Sequence, residues 1–415
     1  MMKLLNIEVN SRGEVFFGRY DIFRENGAEI YHLTSKNNPS TYPMFAGIRY
    51  FSEQTLEEAI KVAKLWHEQI GFDAVITTDE ASVISAAAIS QELELPGLSV
   101  DAAQKSRNKF YMRLAHQKYS APHPHFQCCD TLDQAVAAAS LIGYPVILKP
   151  TLGGNAEHTY LIHDEKKLRD IFPKAWEANQ RYSYCQHDAQ TILLGPNSML
   201  IEEFLSGSEH CVEAWVKNGV AHIGSIADRI SIELDTFDND LYRTPSLLSS
   251  SKIALLQEAL QAGVTAQGIT HGVVHAEFRF HHDKPYIVEI AARVGGGSLY
   301  KMAQLSYGYC PIKTAYCVAT NTYVQEKPLS KTGKVAVGLT MLCQQGIIKR
   351  IHIPEFVRSH PNVFNLGILA KEGDFHRRPP EGNDIFGYLG VVGDSQEQAI
   401  ELAESLFASI TIELE

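Results

Sequence analysis

A chain of 415 residues is too long for one ordinary hydrophobic core and points to two or three domains. Its 45% hydrophobic and 20% charged content predicts a soluble globular protein. A formal charge of −11, with 37 basic against 48 acidic residues and no Lys/Arg block, argues against a nucleic-acid or anionic-membrane partner. Seven cysteines without a CxxC predict reduced thiols and a cytoplasmic location. The longest apolar stretch, Ala135 to Leu148, is broken by Gly143 and Pro145 and is not expected to span a bilayer. His123, His125, Cys128 and Cys129 lie close in sequence, but adjacent cysteines rarely ligate one tetrahedral metal together.

In chain order, Met1 to Val9 reads as a strand, and the first hundred residues alternate strand and helix. Thr55-Leu56-Glu57-Glu58 has the pattern of a capping box, opening a helix that stops at Gly71. Ala74 to Thr78 is a buried strand running into Asp79-Glu80, and Ala81 to Glu94 a helix. This is an open α/β domain, whose ligands bind at the carboxyl ends of strands. Glu80 sits at such an end, and a helix-start residue favoured by the dipole competes evenly with a ligand role.

Leu98 to about Tyr119 reads as one basic helical stretch carrying Lys105, Arg107, Lys109 and Arg113. After Pro122 and Pro124 comes a second capped helix, Thr131 to Ile142, closed by Gly143. The strand Tyr144 to Pro150 carries Lys149 near its end and runs into Thr151-Leu152-Gly153-Gly154-Asn155, a small-residue loop able to close over phosphates. Neither Walker A nor GxGxxG is present. A further strand, Ser198 to Phe204, leads to Ser206-Gly207-Ser208-Glu209. From about Lys331 an α+β module follows, with turn signals at Gly346, Gly373 and Gly387 and a last helix from Ser395 to Ile410.

The most informative feature is a pair of carboxylates. Glu277 in Val273 to Phe280 and Glu289 in Tyr286 to Ile290 lie on two strands joined by His281 to Pro285. A hairpin folded about Asp283 makes them face each other, with Cβ atoms roughly 5 Å apart. Like charges so placed call for a cation, which Mg²⁺ bound to carboxylates and phosphates supplies. Arg293 and Gly295-Gly296-Gly297 follow, a fixed charge and a run of backbone amides suited to an anion.

The order Lys109, Lys149, Glu202-x-x-Leu-x-Gly-x-Glu209, Glu277, Glu289 resembles the nucleotide site of the ATP-grasp superfamily over roughly residues 1–320. The resemblance implies that Lys109 (in Asn108-Lys109 … Arg113) and Lys149 meet phosphate. Glu202 and the backbone of Glu203 and Leu205 would meet the adenine edge, and Glu209 the ribose. Glu277 and Glu289 would hold Mg²⁺, two ions in all, with Glu289 bridging. Most members carry Asn two residues after the second Glu, where this chain has Ala291. Glu289-Ile290-Ala291-Ala292-Arg293 is instead similar to the L-amino acid ligase branch, as is Gly387 to Val392. There the Arg lies beside the substrate carboxylate and the acyl phosphate, so Arg293 and Lys149 are the expected catalytic residues, and Gly295 and Gly296 the neighbouring substrate contacts. Glu80 matches an acidic residue at the substrate pocket's edge.

The expected fold is α/β: an N-terminal domain over 1–100, an ATP-grasp domain over 101–320 with a mobile lid at about 140–206, and a C-terminal α+β module over 321–415. The expected activity joins two L-amino acids with ATP through an acyl phosphate, giving ADP and phosphate. The expected partners are small amino acids, and the assembly allows a homodimer. Specificity is expected in Asp235 to Ser246, where Asn239 and Tyr242 take the places of a Glu and a His of some ligases. Glu233, Asp235, Asp238 and Asp240 there would suit a cationic first amino acid, most plausibly Arg, although a solvated acidic loop is the stronger reading of them. The alternatives are a ligase or carboxylase with a non-amino-acid acceptor and a non-catalytic nucleotide-binding protein.

Overall fold

The computed structural model describes residues 1–9, 17–35, 44–51, 55–182, 191–231, 237, 241–322, 324, 328–382 and 384–415. Strands β1 (Met2–Glu8), β2 (Ala28–Ser35), β3 (Gly47–Phe51) and β4 (Ala74–Ile76) form a parallel sheet in the order β3-β2-β1-β4. Leu4, Leu5, Ile7, Leu33 and Ala74 are buried, as strands covered on both faces require. The chain leaves β1 toward β2 and β3, then returns to the other side of β1 as β4, so a topological switch point lies between β1 and β4. Glu8 ends β1 there, and Thr78, Asp79 and Glu80 directly follow β4.

The helix Leu56–Ile70 starts where Thr55 Oγ1 accepts from the Glu58 amide (3.2 Å) and stops at Gly71, which is left-handed with φ 68°. The helix expected over Ala81 to Glu94 is shorter: a 3₁₀ turn occupies Glu80–Ser82, and the α-helix runs Val83–Glu92. The single stretch expected over Leu98 to Tyr119 is two helices, Val100–Arg107 and Lys109–Lys118. The break is at Asn108, whose Oδ1 accepts from the amides of Phe110 (2.9 Å) and Tyr111 (3.2 Å). An Asn side chain that caps a new helix competes with continuing the old one. Lys109 thereby becomes the first residue of the second helix.

Strands β5 (Phe126–Cys129), β6 (Val146–Pro150), β7 (Tyr160–Ile162) and β8 (Met199–Glu203) form an antiparallel sheet in the order β5-β8-β6-β7. The helix Leu132–Ile142 packs on it after a reciprocal Thr131–Gln134 capping box, and Leu148, Ile162, Phe172 and Ile201 share the core. The largest sheet is built from β9 (Glu209–Lys217), β10 (Val220–Ser231), β11 (Leu241–Thr244), β12 (His271–His281), β13 (Lys284–Ala291) and β14 (Val335–Met341). The C-terminal module continues with β15 (Gly346–His352), β16 (Val363–Ile368), β17 (Phe375–His376), β18 (Gly387–Gly393) and β19 (Thr411–Leu414). Antiparallel pairing gives one eight-stranded sheet, β13-β12-β9-β10-β11-β14-β18-β16, and a small sheet, β17-β15-β19. Gly346 and Gly387 open strands rather than turns, whereas Gly373 (φ 93°) does lie in a turn.

Leu256, Leu260 and Val264 of the helix Ser250–Gln267 bury against Val212, Val274 and Ile290 of the large sheet. Leu4, Ile30 and Ile76 of the parallel sheet pack with Ile312 and Tyr316, which also meet Trp215 and Val273. One apolar core thus fixes the N-terminal sheet against the eight-stranded one. Among the described residues no helix is long and apolar enough to cross a membrane, and the six cysteines are free thiols.

Gly207 shows how closely the segments approach. A Cβ added there would lie 1.4 Å from the Phe280 carbonyl oxygen, and the Phe280 amide donates to Ser208 O at 2.9 Å. Gly207→Ala must push β12 away, at the cost of overpacking, roughly 1–3 kcal/mol. The expected outcome is a lower midpoint in urea unfolding. An unchanged midpoint would mean that the segments separate without loss.

Candidate active site

The β12–β13 hairpin turns at His282-Asp283, both at positive φ (48° and 60°). A two-residue turn of this hand matches strand twist. It is tighter than the expected turn: His281 pairs Lys284 and Phe278 pairs Ile287. Continued unchanged, that register would set Glu277 against Val288. A bulge restores the pairing of Glu277 with Glu289. Val288, the extra residue, offers its carbonyl to Arg113 Nη2 at 2.7 Å.

Glu277 and Glu289 line one cavity, with cations already beside them. Lys109 Nζ lies 3.1 Å from Glu289 Oε2, and His275 Nε2 lies 3.5 Å from Glu277 Oε1. Burial would raise the Glu277 carboxyl, but His275, Arg229 and Lys109 hold it at about 2. Burial would likewise lower His275, yet Glu213, 2.6 Å from its Nδ1, wins and raises it to about 9. The ring is therefore an imidazolium at neutral pH.

A second charged group lies farther along the cavity. Glu202 is buried, with Arg113 Nε 2.8 Å from one oxygen and Lys149 Nζ 2.6 Å from the other. Burial opposes its ionisation, but Arg113 and Lys149 outweigh it and hold the carboxyl at about 2. Burial lowers the Lys149 ammonium, with Glu202 opposing and Arg113 and Lys109 adding to the effect. Lys109 also donates to Gly153 O (2.9 Å), which ties the second helix to the loop after β6. Glu209 is gripped by Arg229 Nη1 (2.8 Å) and Arg279 Nε (3.0 Å), while Arg279 Nη1 donates to Leu205 O (2.7 Å). Glu203 Oε2 accepts from the His125 amide at 3.2 Å.

Glu80 joins the parallel sheet to the loop after β13. It pairs with Arg107 Nη1 at 3.1 Å and Arg293 Nε at 2.5 Å. Burial alone would raise its carboxyl, but Arg293, Arg107 and Lys109 bring it to about 2. The glycine run that follows differs from expectation. The Gly295 amide is not open to an anion, because it donates to Glu213 Oε2 at 2.9 Å. A Cβ on Gly295 would sit 2.1 Å from Glu213 Oε1, so this glycine serves close packing. Gly296 does line the cavity.

A cavity lined by ion pairs and by an opposed carboxylate pair fits nucleotide-dependent chemistry. The ATP-grasp domain family matches residues 142–301, and the L-amino acid ligase C-terminal domain 2 family matches residues 339–415. The chain thus joins an ATP-grasp domain to an L-amino acid ligase C-terminal domain. It is similar to the L-arginine-specific L-amino acid ligase of Bacillus subtilis, 22% identical over 98% of this chain and 92% of that protein. It is also similar to the alanine–anticapsin ligase of Bacillus subtilis (strain 168), 27% identical over 62% of this chain and 55% of that protein. The crystal structure of an L-amino acid ligase from Bacillus licheniformis shares the fold, with a TM-score of 0.86 at 21% identity over 100% of this chain and 99% of that one.

For an ATP-grasp ligase, the opposed Glu277 and Glu289 fit Mg²⁺: hard oxygen donors at the cavity wall, with room left for phosphate oxygens. Cys211, His275 and Glu277 also come near enough to share an ion. Cys211 is buried and does not line the cavity, and His275 Nδ1 is held by Glu213 at 2.6 Å, whereas Glu277 and Glu289 both reach the space where phosphates would enter. Lys109, Lys149, Glu202, Glu203, Leu205, Glu209, Glu80, Tyr242 and Arg293 all line the same cavity. Asp238 and Asp240 lie outside the described residues. Sequence reasoning missed the fixing partners Arg229, Arg279 and Glu213, and it missed Glu8 and Asp79. The alternating charges of β9, β10 and β12 (Glu209, Glu213, Arg229, His275, Arg279) were the available signal.

The Glu202 cluster gives a pH-dependent outcome. Its carboxyl, ordinarily near 4.5, is held at about 2, so its stabilising effect is full above 4.5 and is lost as pH falls through about 2. Glu202→Gln leaves Arg113 and Lys149 buried without their counter-charge, at a cost of roughly 3–5 kcal/mol. Urea unfolding from neutral to acid pH should show the gap between the two proteins narrowing toward the acid end. A constant gap would remove Glu202 as its source.

Proposed function

We propose that this protein is an ATP-dependent L-amino acid ligase that forms a dipeptide through an acyl phosphate and releases ADP and phosphate. One observation carries the reading: Glu277, Glu289, Lys109, Lys149 and the Glu80-clamped Arg293 open into a single cavity. In this reading residues 1–100 form the N-terminal domain, 101–320 the grasp with its lid at about 140–206, and 321–415 the C-terminal module. We place the enzyme in the cytoplasm, acting on free amino acids, with a homodimer as the assembly to test.

Lys109 and Lys149 bring positive charge to the phosphates, and Glu202 with Arg113 holds Lys149 in place. Glu202, the backbone of Glu203 and Leu205, and Glu209 would frame the adenosine. Two Mg²⁺ ions held by Glu277 and Glu289 would neutralise phosphate charge. Arg293 is fixed in orientation by Glu80 and by its own bond to Val294 O (2.9 Å), so it can meet the activated carboxylate without reorganising. Gly296 allows close approach beside it. No side-chain nucleophile is required; placement and charge neutralisation carry the reaction.

We assign Arg as the first amino acid. Phe237 and Tyr242, on either side of Asp238 and Asp240, line the cavity, and Phe237 O accepts from Arg229 Nη2 at 2.7 Å. A carboxylate there would bind a guanidinium through paired hydrogen bonds. The similarity to an L-arginine-specific ligase, at 22% identity, supports this choice.

Phosphate release measured across single and paired amino acids tests both statements. Release should require amino acids and be largest in pairs containing Arg. Glu289→Gln should lower it more than about 100-fold, beyond the loss typical of a partner one shell removed from a metal. Release driven by bicarbonate without amino acids would overturn the ligase reading, and a preference for Leu, Phe or Ala over Arg would overturn the specificity.

A further inference from the structure

The cavity does not end at Arg293. It continues to the switch point of the parallel sheet, where Glu8, Thr78 and Asp79 line it. Crevices at such switch points, outside the carboxyl ends of the strands, are where open α/β sheets bind ligands. Both carboxylates are at least nine-tenths buried, with Glu8 at 7% and Asp79 at 6% exposure. Asp79 Oδ2 accepts from Ser82 Oγ at 2.8 Å, but its buried Oδ1 has no hydrogen-bond partner among the described residues. A buried acceptor left open is costly unless a ligand completes it. Asp79 lines the cavity, and a cationic donor entering there would complete that oxygen.

This end of the cavity is tied to the reacting end. Arg19 Nη1 donates to Thr78 O (3.4 Å) and Nη2 to Gly295 O (3.1 Å), so one guanidinium touches both. Asp79 is followed by Glu80, which holds Arg293. The accepting amino acid arrives as an ammonium at neutral pH and must lose a proton before its nitrogen can attack. Glu80 is paired with two arginines and is unsuited to take it.

We propose that Asp79 receives the ammonium of the accepting amino acid at this switch point and that Glu8 takes its proton. The proposal rests on the ligase reading above. One N–H bond of the ammonium breaks and its proton passes to a Glu8 oxygen. The freed lone pair forms the N–C bond at the acyl carbon, and the C–O bond to phosphate breaks with its electrons on phosphate. The second amine proton leaves with the phosphate, giving hydrogen phosphate, and Glu8 returns its own proton to water.

The surroundings of Glu8 suit the task. Burial, then the charge of Asp79, raises its carboxyl to about 7, against hydrogen bonds from Tyr20 and Thr78 and the charge of Arg19. Thr78 Oγ1 donates to Glu8 Oε1 at 3.1 Å. On the neighbouring β2, His32 bonds Asn6 at 2.9 Å and is pushed down to about 4 by burial, so it stays neutral. Glu80 and Arg293, at the start of the 3₁₀ turn and in the loop after β13, neutralise each other.

The test compares two acceptors on the full chain with ATP, Mg²⁺ and the first amino acid. Hydroxylamine is already uncharged at neutral pH and traps the acyl phosphate as a hydroxamate without a base. Glu8→Gln should lower dipeptide formation at least about 100-fold more than hydroxamate formation, in the range of general-base contributions. Glu8→Asp should recover part of the loss. With wild type, kcat/KM for the accepting amino acid should climb with pH through about 7, a limb that Glu8→Gln loses. Asp79→Asn should raise the KM for the accepting amino acid about ten- to a hundredfold, as expected from losing a charged hydrogen bond. Equal loss with both acceptors would reduce Glu8 to a structural role and overturn the proposal. So would a selective loss in Glu157→Gln instead, since Glu157 on the loop after β6 is, among the described residues, another cavity carboxyl raised to about 7, by burial and Asp384. A wild-type chain that releases no phosphate with any amino acid would overturn the ligase reading itself, a failure visible before any variant is made.

Discussion

Two carboxylates set directly opposite each other on neighbouring strands repel, and the side chains around them are arranged to contain that repulsion. Glu277 and Glu289 are paired in register, and each has a cation beside it, His275 on one side and Lys109 on the other. Neither cation is free to wander. His275 is held by Glu213, which also fixes the Gly295 amide. Lys109 is held by Gly153 O and by its place at the start of a helix capped by Asn108. A chain of contacts thus runs from the hairpin to the loop after β6 and to the loop after β13. Removing the repulsion would leave these contacts without a common purpose.

The ion pairs fall into two kinds by burial. In the Arg113–Glu202–Lys149 group the side chains are 0–9% exposed, whereas those of Glu277 and Glu289 are 29% and 21% exposed. A fully buried charge that loses its partner faces the whole desolvation cost. The inner group is therefore held rigid, a fixed positive edge that the cavity presents to whatever enters it. The outer carboxylates keep contact with water and can exchange a side-chain cation for a metal and phosphate at far less cost. The same distinction separates Glu80, locked between Arg107 and Arg293, from Asp79 beside it, whose Oδ1 has no partner among the described residues.

Much of this was legible in sequence. The strand–helix alternation, the capped helices at Thr55 and Thr131, and the facing of Glu277 with Glu289 follow from local rules of capping and strand alternation. The facing arises differently than expected, from a tighter turn corrected by a bulge at Val288. A bulge leaves no mark when the extra residue is as apolar as its neighbours. Asn108 was readable as a cap, but its helical neighbours on both sides masked the break. Strand order was not readable at all. That β4 lies beside β1, which brings Asp79 to Glu8, depends on burying both faces of a parallel sheet and has no local signature.

The glycine run shows where the inference from residue type to chemistry stops. Gly295-Gly296-Gly297 suggested amides presented to an anion, and one of the three is spent on Glu213 instead. Glycine reports that something approaches the backbone closely; it does not report what. At Gly295 the visitor is an internal carboxylate, because Glu213 must neutralise His275 and has one oxygen left to satisfy. That oxygen anchors the loop carrying Arg293, so the same carboxylate that charges the cation beside Glu277 also sets the position of the guanidinium. The charge on His275 and the position of the loop are coupled through one buried side chain, and a larger residue at Gly295 would disturb both together.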